Sequence, residues 1–308
     1  MKIAVLYGGV SGEREVSLSS GKGIIEALES NGHDVIGIDF DPENLEEVIK
    51  LDVDLIFIGL HGKFGEDGRI QGLLDMIDIP YVGSDVLGSA LAMDKDKAKQ
   101  IFAAHNIPVA KSEAFRVGAP FNTTEITERV KQTFKPPFVV KPNREGSTLG
   151  LTIVQSLEEV SEAIEYAAES DEVILVEDYV KGRELTVPVL GAIGKEEALP
   201  VIEIIPKNYF YDYKSKYEPG GSEHIVPADI SEDLTETIQA YAVKAHQSLG
   251  CETYSRVDFL LREDGVPIIL EVNTLPGMTP TSLYPDSAKK IGLSYEEMIE
   301  KLVRLSIE

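Results

Sequence analysis

The stretch "PIILEVNTLPGMT" (Pro267–Thr279) opens as an apolar run, as a buried strand requires, and then places Glu271 and Asn273 on either side of Val272. Side chains alternate along a strand, so Glu271 and Asn273 share one face. Taken alone, the pair describes a strand end meeting solvent before the turn "NTLPG". The upstream stretch "YSRVDFLL" (Tyr254–Leu261) changes that reading. It has the pattern of a second strand, and "REDGVP" (Arg262–Pro267) supplies a hairpin connection with Asp264-Gly265 as its turn signal. Folding there sets Asp258 opposite Leu270 and Glu271, and Arg256 near Asn273. Two carboxylates and an amide then gather beside an arginine at one end of a ribbon. Carboxylates brought together repel one another unless a cation sits between them. Hard oxygen donors suit Mg2+, especially when phosphate oxygens complete its shell. No His or Cys stands near them in the sequence, which argues against zinc.

Composition bounds the partners. The 308 residues suit two or three domains. Lys and Arg number 29 against 53 Asp and Glu, a net charge of −24. Such a field repels nucleic acid and anionic membranes, so neither is expected as a partner. It still allows a nucleotide ligand, because a few cations can reverse the field inside one cleft. A single cysteine, Cys251, excludes an internal disulfide and reads as a buried thiol. The opening "MKIAVLYGG" is a short strand and glycine turn without the features of a signal peptide, and no apolar run reaches about 18 residues. A cytoplasmic protein is expected.

The chain divides by rhythm. Residues 1–86 alternate strand and helix, from "KIAVLYGG" and "SSGKGIIEALESNG" to "VDLIFIGLHG" and "IPYVGS", as a parallel α/β sheet does. Ligands bind such sheets at the carboxyl ends of the strands. From 87 to 181, strands separated by glycine-bearing turns mix with helices, which predicts an α+β module. The third part, 182–308, starts with "RELTVPVLG" and "LPVIEII", then passes through "KNYFYDYKSKYEPGGSEHIVP" (Lys207–Pro227). That polar, aromatic stretch has no periodicity and is too long for a simple connection, so it reads as a functional loop. A helix, the hairpin and a C-terminal helix follow.

Phosphate-binding signals are individually modest. "GGVSGE" (Gly8–Glu13) follows the first strand but lacks the G-x-G-x-x-G spacing of a dinucleotide fingerprint, and GxxxxGK[ST] is absent from the chain. In "VVKPNREGSTLG" (Val139–Gly150), Lys141 ends an apolar strand and a glycine-bearing polar loop follows. Such a loop can turn backbone N–H groups toward phosphate, and an ordinary hairpin is the competing reading. Lys95 in "MDKDKAK" is a candidate phosphate ligand or a solvated helix lysine. "LVEDYVKGRE" brings Glu177 and Glu184 around Tyr179, where a base edge and ribose hydroxyls would find partners. In "HGKFGEDG", His61 stands at the carboxyl end of a buried strand, either as a turn cap or facing a ligand.

Taken together, "GGVSGEREVSLSSG", "LHGKFGEDG", "MDKDKAK", "VVKPNREGSTLG", "EDYVKGRE", "FYDYKSKY", "SRVDF" and "LEVNTLPGMTPTSLYP" resemble the D-alanine–D-alanine ligase family of ATP-grasp enzymes, in order and over essentially the whole chain. The combination is specific where no single piece is. The resemblance implies an ATP-grasp fold of three domains: an N-terminal parallel α/β domain (1–86) and central (87–181) and C-terminal (182–308) α+β domains, with ATP between the last two. It implies that Asp258, Glu271 and Asn273 hold two Mg2+ ions, with Mn2+ as a substitute. Lys95, Lys141 and Lys216 would bind phosphate oxygens, and Glu177, Tyr179, Val180 and Glu184 would surround the adenosine. Glu13, assisted by His61, would hold the first D-alanine's ammonium group. Arg256 and the Gly277 N–H would stabilise the tetrahedral oxygen, and Ser282 and Leu283 would bind the second substrate's carboxylate. Glu13, Ser147 and Tyr217 would form a hydrogen-bonded triad. The product would be D-alanyl-D-alanine for peptidoglycan precursors, made by a homodimer.

Three rival readings stand beside this one. The second substrate could be D-lactate or D-serine, although Tyr217 speaks against D-lactate, whose relatives place Phe there. An NAD-dependent dehydrogenase on the first sheet conflicts with the broken glycine pattern. An ATP-free binding protein would not need Arg256 beside three metal ligands.

Overall fold

In the computed structural model, residues 1–117, 122–146, 149–206 and 222–307 are described. They build three sheets. The first contains β1 (Lys2–Gly8), β2 (Asp34–Phe40), β3 (Leu55–Ile58) and β4 (Tyr81–Val82), all parallel, in the order β2-β1-β3-β4. Leu55 to Ile58 are buried throughout, as continuous apolar strands of parallel sheets are. The first helix runs Arg14–Ser30, several residues earlier than its apolar pattern suggests. Its missing signal lies in two buried serines. Ser17 Oγ donates to the Gly59 carbonyl at 2.7 Å and accepts from the Gly8 N–H at 2.8 Å. A polar residue thus occupies the core-facing stripe because it satisfies backbone groups at two strand ends.

The second sheet contains β5 (Ser112–Arg116), β6 (Phe138–Pro142), β7 (Thr152–Val154) and β8 (Val173–Asp178), antiparallel in the order β5-β8-β6-β7. Helices Thr123–Thr133 and Val160–Ala168 cover it, closing a core around Phe134, Phe138 and Ile164. Of the strand expected over "STLGLTIV", the described residues form Thr152–Val154 after a turn at Leu149 and Gly150, and Ser147 and Thr148 lie outside the described residues. The third sheet contains β9 (Gly182–Gly191), β10 (Glu197–Ala198), β11 (Ile202–Pro206), β12 (Ser222–Ile225), β13 (Thr253–Arg262) and β14 (Pro267–Asn273). Its order is β12-β11-β9-β13-β14, with β10 paired to β9. The β13–β14 hairpin forms as the Asp264-Gly265 signal implies.

Two packing arrangements cross the divisions drawn from sequence rhythm. Helix Val86–Met93, whose pattern went unread, and helix Lys95–Ala104 share a core with the third sheet through Ala92, Ala98 and Phe102. Asp85 caps the first of them, its Oδ1 accepting from Gly88 N–H at 2.7 Å. At the other end, two helices stand where one was expected, Leu283–Lys290 and Tyr295–Leu305. Their Tyr284, Met298, Ile299 and Leu302 enter the core of the first sheet beside Ile24 and Leu28. Ser294 and Glu297 form a reciprocal cap that separates the second helix from the first.

His246, in helix Glu232–Ser248, is fully buried, with Nδ1 2.7 Å from Ser255 Oγ. Burial lowers its pKa from 6.5 to about 4. Between those values the unfolded chain binds a proton that the folded chain refuses, so stability is present above pH 6.5 and is lost as pH falls toward 4. The full window is worth at most about 3 kcal/mol. In thermal melts from pH 7.5 down to 4.5, His246→Gln should therefore lose less stability than wild type, the gap changing by about 5 °C. Parallel melting curves would contradict this account.

Candidate active site

The polar end of β14 rests on a register shift against β13. Arg256 pairs with Asn273, Val257 with Val272 and Asp258 with Glu271, whereas Phe259 pairs with Ile269. The extra residue, Leu270, is passed over in a bulge, and Glu271 thereby shares a face with Asp258. Asp258 accepts at both oxygens. Its Oδ1 takes Thr186 Oγ1 at 2.5 Å and Arg256 Nε at 2.9 Å, and its Oδ2 takes Arg256 Nη2 at 2.8 Å and Asn273 Nδ2 at 3.0 Å. Glu271 Oε2 lies 3.2 Å from Lys95 Nζ, which also donates to the Glu145 carbonyl at 2.9 Å. Burial pulls the Lys95 ammonium down, but Glu271, with the charges of Glu66 and Glu177, more than offsets it and holds the pKa above the ordinary value.

Two cavities meet at this ribbon end. One, of about 740 Å³, is lined by Glu13, His61, Arg256, Asn273, Gly277, Ser282 and Leu283. The other, of about 1030 Å³, is lined by Lys141, Glu177, Tyr179, Val180, Glu184 and Asp258. Lys95, Gly146 and Glu271 line both. The candidate residues among those described therefore divide between two adjoining chambers, and Lys95 and Glu271 stand at the junction. Ser147, Lys216 and Tyr217 lie outside the described residues.

In the smaller chamber, Glu13 precedes the first helix and faces two glycines. A Cβ on Gly146 would fall 3.0 Å from Glu13 Oε2, and one on Gly62, whose φ is +66°, would fall 3.2 Å from it. Backbone can approach this carboxylate closely only because both positions lack side chains. His61 is buried and both its ring nitrogens are engaged. Nδ1 lies 2.9 Å from the Leu275 carbonyl and Nε2 lies 3.1 Å from Ser20 Oγ. A carbonyl can only accept, so Nδ1 carries the proton. Burial lowers the His61 pKa, so the ring is neutral and Nε2 accepts from the Ser20 hydroxyl. Ser20 Oγ in turn accepts from the Met278 N–H at 3.2 Å. His61 thus ties β3's end to the turn that carries Gly277. Ser282 Oγ accepts from Thr279 N–H at 3.1 Å, holding the far end of that turn.

Sequence reasoning missed two charged groups here. Glu66, within "HGKFGEDG", lines the smaller chamber and accepts from the Gly62 N–H at 2.6 Å. Burial, and then the charge of Glu13, push its carboxyl up to about 8. Lys99 follows Lys95 by one helical turn and reaches Glu177 Oε2 at 2.7 Å, while Lys141 donates to Glu177 Oε1 at 2.5 Å. The spacing in "KDKAK" puts both lysines on one helix face, and that periodicity was the available signal. Burial opposes the charge on Glu177, but Lys141 and Lys99 together hold its pKa down to about 2.

Among the described residues, no three His, Cys, Asp or Glu side chains are placed to hold a metal ion. The donor set at the ribbon end is two carboxylates and one amide, all hard oxygen donors. Such a set fits Mg2+ only as part of a shell that ligand oxygens complete. Arg256 and Lys95 balance the two carboxylates in this structure.

Comparison with known proteins places the chain in a family. The profile of the D-ala D-ala ligase C-terminus matches residues 101–304, and that of the N-terminus matches residues 41–84. A D-alanine–D-alanine ligase of Halalkalibacterium halodurans is 59% identical, with 100% of both chains covered. That of Carboxydothermus hydrogenoformans is 46% identical over 100% of this chain and 99% of its own. Among solved structures, the Bacillus anthracis D-alanine–D-alanine ligase complexed with ATP superposes with a TM-score of 0.84 at 33% identity, covering 100% of this chain and 97% of that one. The VanG D-Ala:D-Ser ligase of Enterococcus faecalis gives 0.85 at 35% identity, covering 99% of each. The match to the sequence signatures, the two adjoining chambers and the full-length similarity lead to one conclusion: the chain belongs to the D-alanine–D-alanine ligase family.

Proposed function

We propose that this protein is an ATP-dependent ligase that joins two D-alanines through an acyl phosphate. The observation that carries the reading is the meeting of the two chambers at Lys95 and Glu271. A nucleotide in the larger chamber would present its terminal phosphate there, within reach of an amino acid in the smaller one. The first D-alanine's carboxylate oxygen attacks the γ-phosphorus, the bond to the β-phosphate oxygen breaks, and ADP leaves. The second D-alanine's amine, once deprotonated, attacks the acyl carbon. The tetrahedral intermediate then expels inorganic phosphate and leaves D-alanyl-D-alanine, for peptidoglycan precursors.

Each described residue has a part in this scheme. Glu13 holds the first ammonium group. His61, with both nitrogens engaged, acts by fixing the turn that carries Gly277. Arg256 and the Gly277 N–H stabilise the tetrahedral oxygen, where negative charge develops. Ser282 and Leu283 receive the second carboxylate. Lys95 and Lys141 take phosphate oxygens, and Glu177, Tyr179, Val180 and Glu184 surround the adenosine. Asp258, Glu271 and Asn273 would hold Mg2+, with Mn2+ as a substitute. When bound, the metal supplies positive charge that neutralises the phosphate oxygens. Lys216 on the γ-phosphate, and Ser147 and Tyr217 bridging to Glu13, complete the proposal from outside the described residues. We further propose three domains, 1–86, 87–181 and 182–308, in a cytoplasmic homodimer. No helix among the described residues is long and apolar enough to cross a membrane.

A phosphate-release assay with ATP, Mg2+ and a panel of D- and L-amino acids tests the reaction. Release is expected with D-alanine alone, and the panel includes D-serine and D-lactate as second substrates. Absence of release with every amino acid would remove the ligase reading. Within the metal set, Glu271 carries a charge that the amide of Asn273 lacks. Over an Mg2+ titration, Glu271→Gln should therefore cost at least about tenfold more activity than Asn273→Ala. Near-wild-type activity of Glu271→Gln at ordinary Mg2+ would contradict the metal assignment.

A further inference from the structure

We infer that Lys99 is a positioning residue of the nucleotide site, whose charge balances Glu177 and so leaves that of Lys141 available to a phosphate. The inference rests on the nucleotide reading of the larger chamber. Lys99 itself does not line that chamber, whereas Glu177 and Lys141 do. It lies behind them, only 3% exposed, on helix Lys95–Ala104. Glu177, at the end of β8, is 4% exposed and sits between the two ammonium groups at 2.7 Å and 2.5 Å.

The charge count supports more than a structural bridge. Two lysines and one carboxylate leave a net charge of +1 at the chamber wall. Buried ions are costly, and a balanced pair is the least a structural link requires. A second buried lysine adds desolvation cost without a second anion to offset it. An anionic ligand in the chamber would supply that anion. Without Lys99, Glu177 and Lys141 would form a neutral pair, and that pair would offer a phosphate chain little net attraction. Burial, together with the charges of Lys99 and Lys95, also lowers the Lys141 pKa despite Glu177. Burial is the largest of these effects, and the two lysine charges add to it.

The test compares direct binding of ATP and of adenosine to the full-length protein by calorimetry, for wild type, Lys99→Met, Lys99→Arg and the double variant Lys99→Met with Glu177→Gln. Lys99→Met should weaken ATP binding by about ten- to a hundredfold, the effect of one charge a few ångströms away in a partly buried site. Adenosine, which carries no phosphate, should change by much less. Lys99→Arg should restore most of the preference for ATP. The double variant, again with a net +1, should recover the wild-type ratio of ATP to adenosine affinity. Lys99→Gln carries the same expectation should Lys99→Met fail to fold. Equal weakening of both ligands, or a double variant no better than Lys99→Met, would reduce Lys99 to packing and overturn the inference alone. A wild-type protein that binds neither ligand would overturn the nucleotide chamber and the inference with it.

Discussion

Between Asp258 and Phe259 the pairing of β13 with β14 slips by one residue, and the rest of the candidate site depends on that slip. Had the ladder continued in the register of Phe259 and Ile269, Asp258 would face Leu270, and Glu271 would point to the opposite side of the sheet. The bulge instead sets Asp258, Glu271, Asn273 and Arg256 on one face. Each carboxylate then meets a cation from a different source. Asp258 takes Arg256 from its own strand, and Glu271 takes Lys95 from the helix that packs beneath the sheet. The contact between Lys95 and Glu271 also marks where the two chambers join, so one irregularity in a hairpin fixes the charge and the geometry of the junction.

The fold was legible wherever a single physical signal dominated. Continuous apolar runs exposed the parallel sheet, and the Asp264-Gly265 turn exposed the hairpin. Legibility failed where polar residues served the core. Ser17 occupies a helix face that periodicity expects to be apolar, because its hydroxyl satisfies two backbone groups. It failed again at Val86–Met93, where the Asp85 cap was present but the apolar residues run nearly all round the helix. Which sheet a helix covers was not readable, since an amphipathic stripe states that a partner exists without naming it.

For the site, strand register gathered Arg256, Asp258, Glu271 and Asn273, whereas residues from distant segments entered only through the family resemblance. Glu13, Gly146 and Gly277 come from separate parts of the chain and line one chamber. His61 was left open between a capping and a ligand-facing role. Its burial and its two nitrogen partners give it a tying role, which depends on the tertiary approach of Leu275 and Ser20. Glu66 and Lys99 were missed for a related reason. Glu66 carries no sequence mark of burial, and the one mark of Lys99, its place a helical turn after Lys95, does not say that the shared face is buried.

The seating of helix Tyr295–Leu305 against helix Arg14–Ser30 has a consequence for how the chain reaches its native state. Asn31 Nδ2 donates to the Glu296 carbonyl and His33 lies against Glu300, so polar contacts reinforce the apolar ones between the two ends. During synthesis, the first sheet emerges early but cannot close its core until helix Tyr295–Leu305 leaves the ribosome. Domains that complete their cores in order of emergence can fold one after another. Here an early sheet must wait for a late helix, and the core that holds Ile24 and Leu28 stays incomplete until then.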